Sequence, residues 1–123
     1  MKKYSLFIGR WQNWHKGHEW LINQQVEKGK SVWVAIRDVE IDENNPNNAQ
    51  TILENLNKET FFIQNKEKIL ISIIPDIDSV NYGRGVGYDV IYHEPPNDIS
   101  NISGTKIRKG IIDNEGNNKE TLG

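Results

Sequence analysis

Residues 4–22 read YSLFIGRWQNWHKGHEWLI. The stretch opens on an apolar run, Tyr4 to Ile8, closed by Gly9, with the length and composition of a buried parallel strand. Arg10 to Trp14 make a polar and aromatic turn. His15-Lys16-Gly17-His18 follows, and after it an amphipathic helical pattern. A strand that ends in glycine and opens into a helix start is where α/β proteins place anions. The unpaired N–H groups of the first helical turn point outward, and the helix dipole favours negative charge there. Two histidines flank a glycine at this spot, with Arg10 and Lys16 beside them, and Gly17 lets a phosphate come close to the backbone. The expected chemistry is that of a polyphosphate cradle. It is not of the Walker type, since the chain has no GxxxxGK[ST].

Composition narrows the classes. The 123 residues suffice for one domain and one core. Only 36% are hydrophobic and the mean hydropathy is −0.68, so a modest core under a thick polar surface is expected. A net charge of −2 argues against a general nucleic-acid binder, which carries a basic excess. No apolar run approaches the ~20 residues that span a bilayer, so no membrane partner is expected. Met1-Lys2-Lys3 runs directly into the first strand without a hydrophobic region or cleavage site, unlike a signal peptide. The absence of cysteine removes disulfides, thiolate metal sites and cysteine nucleophiles, and fits a cytoplasmic location.

Further along, residues 17–28 predict a helix with Leu21, Ile22 and Val26 on one face and Gly29 as its C-cap. Ser31 to Ile36 is β-branched and aromatic, a second strand, with Arg37 and Asp38 at its end. A polar loop follows, and its Asn44–Asn48 run reads as a turn. Residues 48–63 predict one helical segment with Ile52, Leu53, Leu56 and Phe61 inward. Ile69 to Ile74 is a third strand, ended by Pro75-Asp76. A glycine-rich piece holds Tyr82 and Arg84, a short fourth strand is expected at Gly87 to His93, and a last short helix opens at Ile102–Lys109. Residues 1–112 form the domain and 113–123 a polar C-terminal tail, expected to fray. The pattern implies a single α/β, Rossmann-like, three-layer domain with a parallel sheet in the order 3-2-1-4. That order makes a switch point between strands 1 and 4, where open α/β sheets bind ligands. The turn at His15–His18 and the turn at Ser103–Arg108 would then face one crevice.

These residues resemble the nucleotidylyltransferase superfamily with the HxGH signature. His15-Lys16-Gly17-His18 matches the signature, and Ile102 to Arg108, ISGTKIR, resembles its second motif, ISxTxxR. Gly9 to His15 looks most like the GRFQPFH opening of the archaeal-type nicotinamide mononucleotide adenylyltransferases, and Ile74 to Asp78 is also similar to that group. The motifs bracket residues 9–108. Asn13 stands where the family carries proline, and the segment between strand 3 and ISGTKIR is compressed.

The resemblance implies a nucleotidyltransferase that passes a nucleoside monophosphate, AMP from ATP in the first instance, to a small phosphorylated acceptor and releases pyrophosphate. It implies catalytic roles for His15, His18, Lys16 and Arg108. Gly9, Arg10, Gly17, Ser103, Gly104, Thr105 and Lys106 would bind nucleotide. Trp14, Arg37, Asp38, Tyr82 and Arg84 would hold the second substrate. Mg²⁺ would bridge phosphate oxygens, largely through water, and related enzymes often form homo-oligomers. Bound phosphates would hold one or both imidazoles protonated. Two alternatives stand beside this: a cytidylyltransferase acting on a phosphorylated alcohol, and a nucleotide-binding module without catalysis. The residues also carry plainer readings. Ser103 and Thr105 could be ordinary N-caps, Arg108 a solvated charge and Arg10 half of a structural salt bridge. Trp11 and Trp14 could be turn packing, and Arg37 and Asp38 an exposed ion pair.

Overall fold

The computed structural model describes residues 2–100. The elements in chain order are β1 (Tyr4–Gly9), α1 (Lys16–Val26), β2 (Ser31–Asp38), α2 (Ala49–Lys58), α3 (Thr60–Gln64), β3 (Ile69–Pro75) and α4 (Asn97–Ser100). The three strands form one parallel sheet in the order β1-β2-β3. Register pairs Phe7 with Val34 and Val34 with Ile71, and Gly9 with Ile36 and Ile36 with Ile73. Phe7, Val32, Val34, Ile36 and Ile69 therefore lie on one face. There they meet Ile22 and Val26 of α1, Ile52 and Leu56 of α2 and Phe62 of α3 in a single core. Each crossover steps the same way with the same hand, which puts α1 and the α2–α3 pair in one layer on that face.

The expected third layer is not present among the described residues. The opposite sheet face leaves Tyr4, Leu6 and Leu70 between 41% and 47% exposed. The expected fourth strand at Gly87 to His93 is also corrected: these residues form no ladder. Gly87 sits at φ +78, Pro95 and Pro96 follow, and Tyr88, Val90, Ile91 and Tyr92 are exposed, so the run has no buried face to hold it in register. The segment still approaches β1, because the His93 ring stacks on Phe7 at 6.4 Å. Among the described residues the winding does not reverse, and no helix covers the far face.

The predicted helix over 48–63 is two helices. Asn48 caps α2 by accepting from the Thr51 N–H at 2.8 Å. The helix breaks at Glu59, whose ψ of 134° is extended, and the redirected chain buries Phe62. No proline or glycine marks this break, and it is the chain beyond it that brings Phe62 into the core. At the end of α1, Gly29 takes φ +75, the Gly29 N–H reaches Val26 O and the Lys30 N–H reaches Gln25 O, a Schellman closure. The short helix α4 was not expected from the sequence. Pro96 precedes it, and its carbonyl accepts from the Ile99 N–H at 3.0 Å.

Candidate functional site

The site begins where β1 ends. Trp11 and Asn13 both take positive φ, 53° and 55°, and fold the turn back on itself. The Trp11 indole tucks under Gly9, where a Cβ would stand 2.8 Å from its Cε2, and its Nε1–H donates to Ala35 O at 3.0 Å. Gln12, also buried, donates from Nε2 to Asn47 O at 2.8 Å and accepts from the Asn47 N–H at 3.1 Å. Arg10 donates to the buried Asn45 carboxamide at 3.1 Å. Asn45 is held in turn by Asp42, whose Oδ1 accepts from the Asn44 N–H, the Asn45 N–H and the Asn45 side chain. Partial loss of hydration pushes the Asp42 carboxyl up, but these bonds and the Arg10 charge outweigh it and hold its pKa below the usual value. The turn after β1 is thus fastened to the loop after β2. Arg10 is committed to that fastening, through an asparagine.

This frame sets the two histidines. His15 is the N-cap of α1, with extended backbone, and its Nδ1 accepts from the Gly17 N–H at 3.0 Å. The proton of its neutral ring therefore sits on Nε2. The His18 ring stacks on it, centroids 3.8 Å apart and 22° from parallel. Trp11 meets His18 edge-on at 5.2 Å and Trp14 lies against it at 5.4 Å. His18 Nδ1 is buried with no hydrogen-bond partner among the described residues. Burial lowers the His15 pKa to about 4. Burial first, and the neighbouring His15 second, lower that of His18 to about 3. In the free protein both imidazoles are neutral at pH 7, so positive charge at this turn comes from Lys16 and Arg10.

Because both folded values lie below the ordinary 6.5, the unfolded chain binds more protons than the folded one between pH 6.5 and the folded values. Stability is expected to hold from pH 8 to 7 and to fall as pH drops below 6.5, by ~1.4 kcal/mol per pH unit for each fully titrating histidine. Urea midpoints across this range check it. A midpoint that stays level down to pH 5 would show the rings to be solvated.

Gly17 has a different reason from the one its motif suggests. A Cβ at this position would lie 2.8 Å from His15 Cε1 and 2.9 Å from its Nδ1, so the imidazole fills the space expected for an approaching phosphate. In Gly17→Ala the gain in helix propensity, ~1 kcal/mol, opposes the lost cap, ~1–2 kcal/mol. Stability should change by less than ~1 kcal/mol, while the displaced His15 ring regains water and its pKa climbs toward 6.5. Histidine titration by NMR reads this directly. An unmoved His15 would contradict the packing.

Of the other sequence-predicted residues, Trp14 packs on His18, Phe61 and Phe62, and is part of the site wall. Arg37 and Asp38 lie at the same sheet end as Gly9, but Arg37 is tied to its neighbour strand. Its Nη2 stands 2.8 Å from Asp76 Oδ1 and also donates to Ile77 O, so the ion pair it makes is with Asp76, where the plainer reading had paired it with Asp38. Tyr82 and Arg84 are exposed in the loop after β3 and contact neither histidine among the described residues. Ser103, Gly104, Thr105, Lys106 and Arg108 lie outside the described residues, as does the 113–123 tail. Sequence reasoning missed Gln12, Asn45 and Asn47, whose partners are far along the chain, and it missed Ile99, whose carbonyl approaches Gly17.

No protein-family model, no curated protein and no solved structure matches the chain. Among the described residues no three His, Asp or Glu side chains gather as a metal site, and no helix is long and apolar enough to cross a membrane.

Proposed function

We propose that the chain is a nucleotidyltransferase whose triphosphate cradle is the turn from Gly9 to His18. The observation that carries this is the capped, stacked imidazole pair at the start of α1, directly after the C-terminal end of a parallel strand. An oxygen of the acceptor's phosphate attacks the α-phosphorus, the bond from that phosphorus to the α–β bridging oxygen breaks, and pyrophosphate leaves. The acceptor phosphate is already ionised at neutral pH, so no general base is needed. His15, with Nδ1 occupied, donates from Nε2 as a neutral ring. His18 supports the ring that donates, and Lys16 supplies charge.

The second motif is part of this reading. The position of a Gly17 Cβ lies 3.8 Å from Ile99 O, and α4 rests against α1. Ser103 follows Ile99 by four residues, and four residues of chain span at most ~14 Å. This tether supports convergence of the two motifs without the strand expected at 87–93. The described side chains do not fit a resident Mg²⁺, because no carboxylate joins the imidazole pair. An ion taking part would come with the triphosphate, held by phosphate oxygens and water.

Pyrophosphate release measured with each of the four triphosphates and a panel of phosphorylated acceptors tests the proposal. Turnover with ATP supports adenylyl transfer, and faster turnover with CTP selects the cytidylyltransferase alternative. Tight triphosphate binding without turnover on any acceptor leaves a nucleotide-binding module and removes the enzyme.

A further inference from the structure

The two edges of the sheet are not alike. The His93 ring stacks on Phe7, so the chain beyond β3 lies against β1. β3 stands at the other edge, and nothing among the described residues pairs with its outer side. Its run Ile69 to Ile74, ILISII, holds no charge and no proline, and no bulge interrupts its register with β2. Charge, proline and bulges are the devices that ordinarily blunt an open edge. The Val32 N–H donates to Lys68 O at 2.8 Å, and backbone groups alternate in direction along a strand. Residues 68, 70, 72 and 74 therefore turn toward β2, and Ile71 and Ile73 turn both N–H and C=O outward. On that same outer side the Ile69 N–H is already taken by Asn65 O at 3.1 Å, and Pro75 has no N–H.

We infer that β3 is a dimer interface, pairing antiparallel with β3 of a second copy about a two-fold axis at Ser72. Ile71 then faces the partner's Ile73, and each such pair exchanges N–H···O bonds in both directions, on both sides of the axis. The residues without a free donor fall together, Ile69 against the partner's Pro75. Ser72 is the smallest side chain of the strand, and it lies at the axis, where the two chains come closest. Leu70, 45% exposed, gains the partner's Ile74 on the uncovered face. Charge fits the same register. Lys68 comes opposite the partner's Asp76 and Lys66 opposite the partner's Asp78, and all four positions are exposed. Two lysines less Glu67 leave one positive charge at one end, and two aspartates less Arg37 leave one negative charge at the other. Self-complementarity of this kind is what a second copy supplies and an unrelated strand does not. β3 is the edge away from β1, so the pairing leaves the His15–His18 turn open and does not rest on the proposed reaction.

A lone strand pair is smaller than the ~1,200 Å² of a stable complex, so a Kd of roughly 10–100 µM is expected. Sedimentation of the full chain from ~1 to ~500 µM should show monomer giving way to dimer across that range. Amide exchange followed by NMR should slow at Ile71 and Ile73 by about 5-fold as the dimer fills. Two exposed substitutions read the register. Lys66→Asp alone and Asp78→Lys alone set like charges opposite one another, and each should weaken the dimer by ~3–10-fold. Mixed together, the two variants bring unlike charges together on both sides of the axis, and the hetero-pair should regain the native affinity. A chain still monomeric at the highest concentration overturns the inference. So does a dimer whose Ile71 and Ile73 amides exchange as the monomer's do, since it is seated on another face. A mixture no tighter than either variant by itself overturns it as well.

Discussion

Trp11→Ala is expected to cost about 3–5 kcal/mol, the range for truncating a buried large aromatic. That is a large share of a stability that is ordinarily ~5–15 kcal/mol, so the variant should be partly unfolded at 37 °C. Three contacts account for the size of the effect. The indole fills the space under Gly9, its N–H satisfies Ala35 O inside the sheet, and its edge supports the His18 ring. Trp11→Phe keeps most of the volume and loses the hydrogen bond, and should cost ~1–2 kcal/mol. Gly9→Ala gives an independent check, because its Cβ would strike the indole. Its cost should be large in the native background and much smaller beside Trp11→Ala, a coupling visible in a double-mutant cycle of urea midpoints. Additive costs would show that the indole does not lie under Gly9.

His18→Ala is expected to slow nucleotidyl transfer by ~10²-fold or more, if the imidazole pair supports the charge that builds in the transition state. The ring has three neighbours, His15 by stacking and Trp11 and Trp14 by contact, and its loss leaves His15 free to turn. A loss under ~3-fold would contradict the role. The pH profile adds a sign. Since burial lowers the folded pKa values to about 4 and about 3, kcat/KM for the proposed transfer should show no break near 6.5 from either histidine. A break at 6.5 that disappears in His18→Gln would mean that the working ring is protonated and hydrated, contrary to the packing.

Some of this was legible in the residues. Tyr4 to Ile8, Ser31 to Ile36 and Ile69 to Ile74 announced themselves as strands by composition and by bounding glycine or proline, and the structure extends each by only one or two residues. The α1 start was legible from His15-Lys16-Gly17-His18 and its end from Gly29. The strand at 87–93 was misread because β-branched and aromatic residues favour a strand only when a partner and a buried face exist. The α2–α3 break was invisible because no proline or glycine marks it, and the burial of Phe62 beyond it is a property of the assembled core.

The sequence by itself determined the three parallel strands, the helix that follows the first, and the placing of two histidines at that helix start, because periodicity, capping and turn chemistry are set by residues near one another in the chain. Tertiary structure alone decided that the imidazoles stack and stay neutral, that Gly17 accommodates a ring, and that Arg10 and Gln12 fasten the turn to residues 35 positions away. Desolvation and long-range hydrogen bonds depend on what the fold brings alongside, and no local pattern records that.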